Sequence, residues 1–266
     1  MSQIVGWPNW IGVVAEDLER QRAFYRDVVG FRELGAGDDW VWFDLGWPTL
    51  FEVLQLDANR PQYDGRRYQT GFSTGDIDAT FERLSECGVE AVTKPDGGPD
   101  SGGRWAYFRD VEGNVFEISQ RFGPPWPRND SGSSHAIVGA PVWTGIIARD
   151  LTKTSTWVEE TLGFRPLARS ERWAWFDLGW PNLFEIMGHD TAFRPYAQAG
   201  WQVAFAVGDI VAARDALMAR GARALHAVEG GPESAGYWCH FLDAEENVFA
   251  ITQRLGPPWP AEAEER

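Results

Sequence analysis

Residues 40–54 read WVWFDLGWPTLFEVL and residues 173–187 read WAWFDLGWPNLFEIM, eleven of fifteen positions being identical at an offset of 133. The same offset relates residues 115–127 to 248–260, Asp17 to Asp150, and Gly75-Asp76-Ile77 to Gly208-Asp209-Ile210. A gapless offset along the whole chain makes residues 1–133 and 134–266 two copies of one unit. Whatever fold the first copy takes, the second must take too. The domains expected are residues 1–127 and 141–260, with a polar linker at 128–140 and a tail at 261–266.

Each copy divides again. A strand at residues 10–15 precedes a helix at about 18–28, which Asp17 caps by accepting from first-turn N–H groups. Leu18, Phe24, Tyr25 and Val28 give the helix its apolar stripe, and Gly30 ends it. Strands are expected near 31–34, 40–45 and 49–56. The order then repeats: a strand at 69–74, a helix at 76–86, and strands near 90–93, 104–109 and 114–120. Residues 96–103, DGGPDSGG, read as a loop: glycine-rich, but not between strand and helix as a phosphate-binding turn would be. The whole chain is thus four βαβββ units in series.

A net charge of −15 disfavours nucleic acid and anionic membrane surface as partners. The two cysteines, Cys87 and Cys239, are not equivalent by the repeat, which argues against a disulfide framework or a Cys-based zinc site. The first ten residues lack a basic stretch followed by an apolar run, and no run reaches membrane length, so a cytoplasmic protein is expected. The 15 tryptophans are the unusual count. They suit a packed core, a subunit contact or an aromatic ligand cavity.

Residues 14–31 (VAEDLERQRAFYRDVVGF), 75–89 (GDIDATFERLSECGV) and 107–118 (YFRDVEGNVFEI), with their partners in the second half, resemble the vicinal oxygen chelate superfamily. That superfamily includes glyoxalase I, extradiol dioxygenases and bleomycin-resistance proteins. The resemblance implies an α+β fold: four βαβββ modules forming two cupped, incomplete mixed β-barrels with flanking helices. It also implies that ligand or metal sits in the cup, held from the first and last strands of each module.

Mapped onto this sequence, the first-strand positions are Trp10, Gln69, Trp143 and Gln202, and the last-strand positions are Glu52, Glu117, Glu185 and Ala250. The residue usual at the first-strand positions is His, and none of the chain's four His falls there. An extradiol iron site, with two imidazoles and a carboxylate, is therefore disfavoured. Pairing of modules across the repeats would gather Gln69, Glu117, Trp143 and Glu185. The oxygen ligands Gln69, Glu117 and Glu185 would then suit a divalent Mg, Mn or Zn ion. Pairing within a repeat would gather Trp10, Glu52, Gln69 and Glu117. Both pairings are open at this stage.

Alternation along strands puts Glu52, Glu117 and Glu185 among apolar neighbours, where a carboxylate must be paired, protonated or bound to a cation. They are the candidate catalytic groups, or else buried carboxylates held by Gln, Trp N–H or Arg. Trp10, Trp143, Trp42, Trp175, Gln69 and Gln202 are the candidate ligand-binding residues. Cys239 and His240 fall on one strand, facing opposite ways, with no chemistry assigned. The function expected is binding of an aromatic or apolar organic molecule in a Trp-lined cup, with no cofactor required. The competing expectation is a glyoxalase-like isomerase or lyase using Glu as base, with or without a metal. A monomeric pseudo-dimer or a homodimer would suit either.

Overall fold

The computed structural model describes residues 3–123 and 137–255, apart from 66, 180 and 235. Most of the expected linker, the GPPWP prolines and Trp180 lie outside the described residues. In the first repeat the strands are β1 (Pro8–Ala15), β2 (Arg32–Ala36), β3 (Trp40–Asp44), β4 (Leu50–Gln55), β5 (Arg67–Ser73), β6 (Glu90–Ala91), β7 (Asp96–Gly98), β8 (Gly103–Arg109) and β9 (Val115–Arg121). The second repeat supplies β10 (Pro141–Ala148), β11 (Arg165–Arg169), β12 (Trp173–Asp177), β13 (Leu183–Gly188), β14 (Gly200–Ala206), β15 (Arg223–Ala224), β16 (Glu229–Gly231), β17 (Gly236–Leu242) and β18 (Val248–Arg254). The helices are α1 (Leu18–Ala23), α2 (Ile77–Glu86), α3 (Leu151–Trp157) and α4 (Ile210–Ala219).

Modules pair within each repeat. Strand β1 lies parallel to β4 and antiparallel to β5, and β5 lies parallel to β9, giving a central run β3-β4-β1-β5-β9-β8. The second repeat has the same order through β10 and β14. The sheets curl without closing, so the fold is α+β with two incomplete mixed barrels. A single bridge, Trp201 to Tyr68, joins β14 to β5. Among the described residues no helix is long and apolar enough to cross a membrane.

Two local expectations change. The first helix runs as α1 over one stretch and then widens into π-type turns at Phe24–Val29 before Gly30 stops it in the left-handed region at φ 89°. The glycine-rich residues 96–103 are not a plain loop. Strand β7 pairs with β8, followed by a tight turn at Pro99–Ser101. Gly97 permits this, because at φ +85° a Cβ there would sit 2.5 Å from the Gly103 carbonyl oxygen.

The two faces of each sheet have different destinations. Ile11, Val13 and Ala15 of β1 join one core that runs through both repeats. Rings from the two copies interlock there, Phe31 against Phe205 at 5.3 Å and Phe72 against Phe164 at 5.6 Å. Carboxylates close the seam: Glu245 accepts from the backbone N–H of Glu16 and Asp17, and Glu112 from that of Asp150. The opposite faces form two smaller clusters, around Trp10 and around Trp143, and these line the cups.

Candidate functional site

Alternation along β1 places Trp10, Gly12 and Val14 on the cup face. The Trp10 ring lies flat over Gly12, where a Cβ would come within 2.1 Å of it. Gly71, paired with Trp10 across β1 and β5, is close too: a Cβ there would sit 2.9 Å from the Trp10 Cβ and 3.0 Å from Glu117 Oε1. Glycine at the Gly12 position, repeated as Gly145 under Trp143, is what lets an indole occupy a first-strand position.

The indole is then fixed by a carboxylate. Trp10 Nε1 donates to Glu52 Oε2 at 2.7 Å, and Trp42 Nε1 donates to Glu52 Oε1 at 2.7 Å. Strand register makes this possible, since Glu52 faces Trp42 across β3 and β4 and Gly12 across β1 and β4. Trp143 and Trp175 hold Glu185 the same way, at 2.7 and 2.6 Å. Burial raises the pKa of both carboxyl groups, while the indole N–H groups pull it back. An indole can only donate, so two of them on one carboxyl group favour its ionised form.

Around these clamps the cups diverge. The first holds about 200 Å³ and the second about 390 Å³. Glu117, on the floor of the first, is replaced by Ala250 in the second, and Gly71 by Ala204. Burial raises the Glu117 pKa to about 7, with Arg121 opposing and Glu52 adding to the rise. Tyr107 closes one wall of the first cup through a 3.1 Å hydroxyl contact with Tyr63. At the matching places the second cup has His240 and Tyr196. Arg121 and Arg254 sit at the ends of β9 and β18 and line their respective cups. Burial lowers the Arg254 pKa to about 10, with Glu185 opposing.

Of the expected ligand-contact residues, Trp10 and Trp42 line the first cup, and Trp143 and Trp175 the second. Gln69 and Gln202 do not line either. Each amide donates at 2.6 Å to a backbone carbonyl of the preceding turn, Gln62 and Pro195 respectively. Glu52 and Glu117 share the first cup, and Glu185 lies in the second. The set Gln69, Glu117 and Glu185 is therefore not brought together, because modules pair within repeats rather than across them.

The fold family implies a divalent ion, but the donor set does not fit one. In each cup an indole, which cannot ligate, stands at a first-strand position. Both oxygens of Glu52 and of Glu185 accept indole N–H groups, and Gln69 and Gln202 do not line the cups. Among the described residues no three His, Cys, Asp or Glu side chains form a group able to hold a metal. Sequence reasoning missed His240, Tyr63, Tyr196, Trp105, Trp238 and the two arginines as cup-lining residues. Arg121 could have been found, since it lies four residues beyond Glu117 on one strand and so shares its face.

Residues 7–118 match the family model described as Glyoxalase/Bleomycin resistance protein/Dioxygenase superfamily. In sequence the chain is similar to the metallothiol transferase FosB of Shouchella clausii (strain KSM-K16), 25% identical over 112 residues, 41% of this chain and 77% of the relative. It is also similar to the uncharacterized protein YraH of Bacillus subtilis (strain 168), 27% identical over 120 residues, 41% of this chain and 93% of the relative. In fold it is similar to the Mn(II)-bound glyoxalase from Novosphingobium aromaticivorans, with TM-score 0.77 and 15% identity, covering 96% of this chain and 84% of the other. The 2,3-dioxygenase LapB from Pseudomonas sp. KL28 gives TM-score 0.75 and 17% identity, covering 96% and 94%. At these identities the structural likeness concerns the fold.

Proposed function

We propose that this chain, which belongs to the glyoxalase/bleomycin resistance protein/dioxygenase superfamily, binds a small aromatic or apolar organic molecule in its indole-lined cups, without the His metal ligands usual there. The observation that carries this reading is the carboxylate clamp repeated in both cups. An indole held by its N–H at 2.6–2.7 Å has lost its rotameric freedom before any ligand arrives. Binding to such a surface costs less ordering entropy than binding to free side chains. The second cup, at about 390 Å³ and mainly apolar, is within the usual range for a small-molecule site. It is the principal receptor in this reading. In this reading Glu185 serves the indoles and not a divalent ion, since both of its oxygens accept their N–H groups.

Titrating intrinsic Trp fluorescence with a panel of aromatic compounds tests the reading. Saturable quenching by at least one compound, lost when Trp143 and Trp175 are replaced by Leu, is the expected result. A flat response across the panel would contradict it.

One observation favours a second reading for the first cup. Glu117 accepts no indole N–H, lies beside Arg121, and has a pKa raised to about 7 by burial. Such a carboxylate suits proton abstraction beside a carbonyl, the step of an isomerase or lyase. Deuterium incorporation at the α-carbon of small ketones and aldehydes, abolished by Glu117→Gln, is the corresponding test. An unchanged rate in that variant would remove Glu117 from the chemistry.

A further inference from the structure

The second cup contains a pair of histidines whose hydrogen bonds determine where each proton sits. His226 precedes β16, and His240 lies on β17 opposite Ala250 of β18, which places its ring on the cup face. The backbone N–H of His240 donates to His226 Nε2 at 3.3 Å, so that nitrogen carries a lone pair. His226 Nδ1 lies 2.6 Å from the Ala227 carbonyl oxygen, which can only accept, so that nitrogen carries the proton. His226 Nε2 also lies 2.7 Å from His240 Nδ1. Since it is already an acceptor, His240 Nδ1 must be the donor. The remaining nitrogen, His240 Nε2, is left with a bare lone pair and no hydrogen-bond partner among the described residues.

The first repeat shows what this arrangement replaces. There the strand N–H of Tyr107 donates to Thr93 Oγ1 at 3.0 Å, the same backbone anchor with a hydroxyl instead of an imidazole. The Tyr107 hydroxyl then meets that of Tyr63 at 3.1 Å. In the second repeat Thr93 becomes His226 and Tyr107 becomes His240, so the wall group is turned from a hydroxyl paired within the protein into an acceptor with no partner among the described residues. Burial and the neighbouring His226 also hold His240 neutral, with its pKa lowered to about 3. It therefore stays an acceptor across the physiological range.

We infer that the second cup takes aromatic ligands that carry a hydrogen-bond donor, a phenolic hydroxyl or a ring N–H, and that His240 Nε2 receives that donor. The inference rests on the proposed binding function and specifies its ligand class. Rings that present only acceptors on that edge bind less well, because their lone pairs meet that of Nε2 and that nitrogen stays unpaired. His226 acts as a positioning residue, holding the His240 tautomer without touching ligand.

The probes are 2-naphthol and 2-methoxynaphthalene, matched in size and differing in the donor. Calorimetric titration of the intact chain should show the naphthol binding about 3- to 10-fold more tightly, the range one net hydrogen bond supports. In His240→Phe that preference should fall to about 1-fold, while the methoxy compound keeps its affinity. His226→Leu should reduce the preference by freeing the tautomer. Equal affinities in the wild type, or a preference that survives His240→Phe, would overturn the role of His240 and leave the binding function standing. Failure of both naphthalenes to bind would remove the inference together with the reading beneath it. Should His240→Phe not fold, long-range ¹⁵N–¹H NMR of the wild type decides the tautomer directly. The Nδ1–H form of His240 is expected, and an Nε2–H form would overturn the inference.

Discussion

The two cups are the same device to within 0.1 Å at the clamp and different devices on the floor. Glu52 takes its two indole bonds at 2.7 and 2.7 Å, and Glu185 at 2.7 and 2.6 Å. Yet one cup has Glu117, Gly71 and a tyrosine pair, and the other Ala250, Ala204 and a histidine pair. The clamp draws on strands β1, β3 and β4 and their equivalents, whereas the floor and far wall draw on β5, β8 and β9 and theirs. Because separate modules supply them, the floor can change without loosening the indoles. The scaffold that fixes an aromatic surface thus comes from different strands than the groups that decide what the surface meets.

Removing the clamp should produce the largest effect, and in both cups alike. Glu52→Leu or Glu185→Leu leaves two indole N–H groups buried without acceptors, at a cost of about 3–5 kcal/mol in urea unfolding. If one variant is harmless and the other severe, the clamps are not equivalent and the comparison fails.

The next effect belongs to the first cup alone. The Glu117 pKa is raised in the folded chain from an ordinary 4.5 to about 7. A carboxyl group so shifted binds its proton more tightly when folded, so the stability it contributes is present below about pH 4.5 and lost as pH rises through about 7. Over that span wild type should lose about 2–3 kcal/mol relative to Glu117→Gln. A constant difference between the two proteins from pH 4.5 to 8, where about 2–3 kcal/mol of change is expected, would place Glu117 in contact with solvent. The Ala250 position offers no such group, so a substitution there should leave the pH dependence of stability unchanged in this window.

Cup volume gives a third contrast. Ala250→Leu fills the floor of the second cup and should weaken aromatic ligands about 10-fold, as overpacking a matched pocket does. Equal binding before and after would locate the ligand elsewhere. The smallest effect concerns the tyrosines. Tyr63→Phe should cost about 1 kcal/mol by removing the hydroxyl contact with Tyr107, while Tyr196→Phe, whose hydroxyl has no partner among the described residues, should cost about 0.3 kcal/mol or less.

Much of this was readable from residue order alone. Period-2 alternation put Trp10, Trp42 and Glu52 on one face, and the 133-residue offset carried the same face to Trp143, Trp175 and Glu185. Which modules share a cup was not readable. That depends on β1 meeting β5, a contact between strands far apart in sequence, and apolar patterning is the same under either pairing. Gln69 looked like a cup residue because the family resemblance puts a first-strand ligand at its position. Its amide in fact serves the turn at Pro61–Tyr63 through the Gln62 carbonyl. His240 was passed over because strand alternation cannot reveal that His226, fourteen residues earlier, reaches back to orient it.

In the proposed function, clamped indoles form the walls of a receptor. A crystal structure of the chain soaked with an aromatic compound that quenches its fluorescence tests this most directly. The ring should appear in the second cup against Trp143 and Trp175, with Glu185 still accepting both indole N–H groups. Indoles swung into the cup to fill it, with Glu185 turned out to solvent and the compound absent or bound elsewhere, would contradict it.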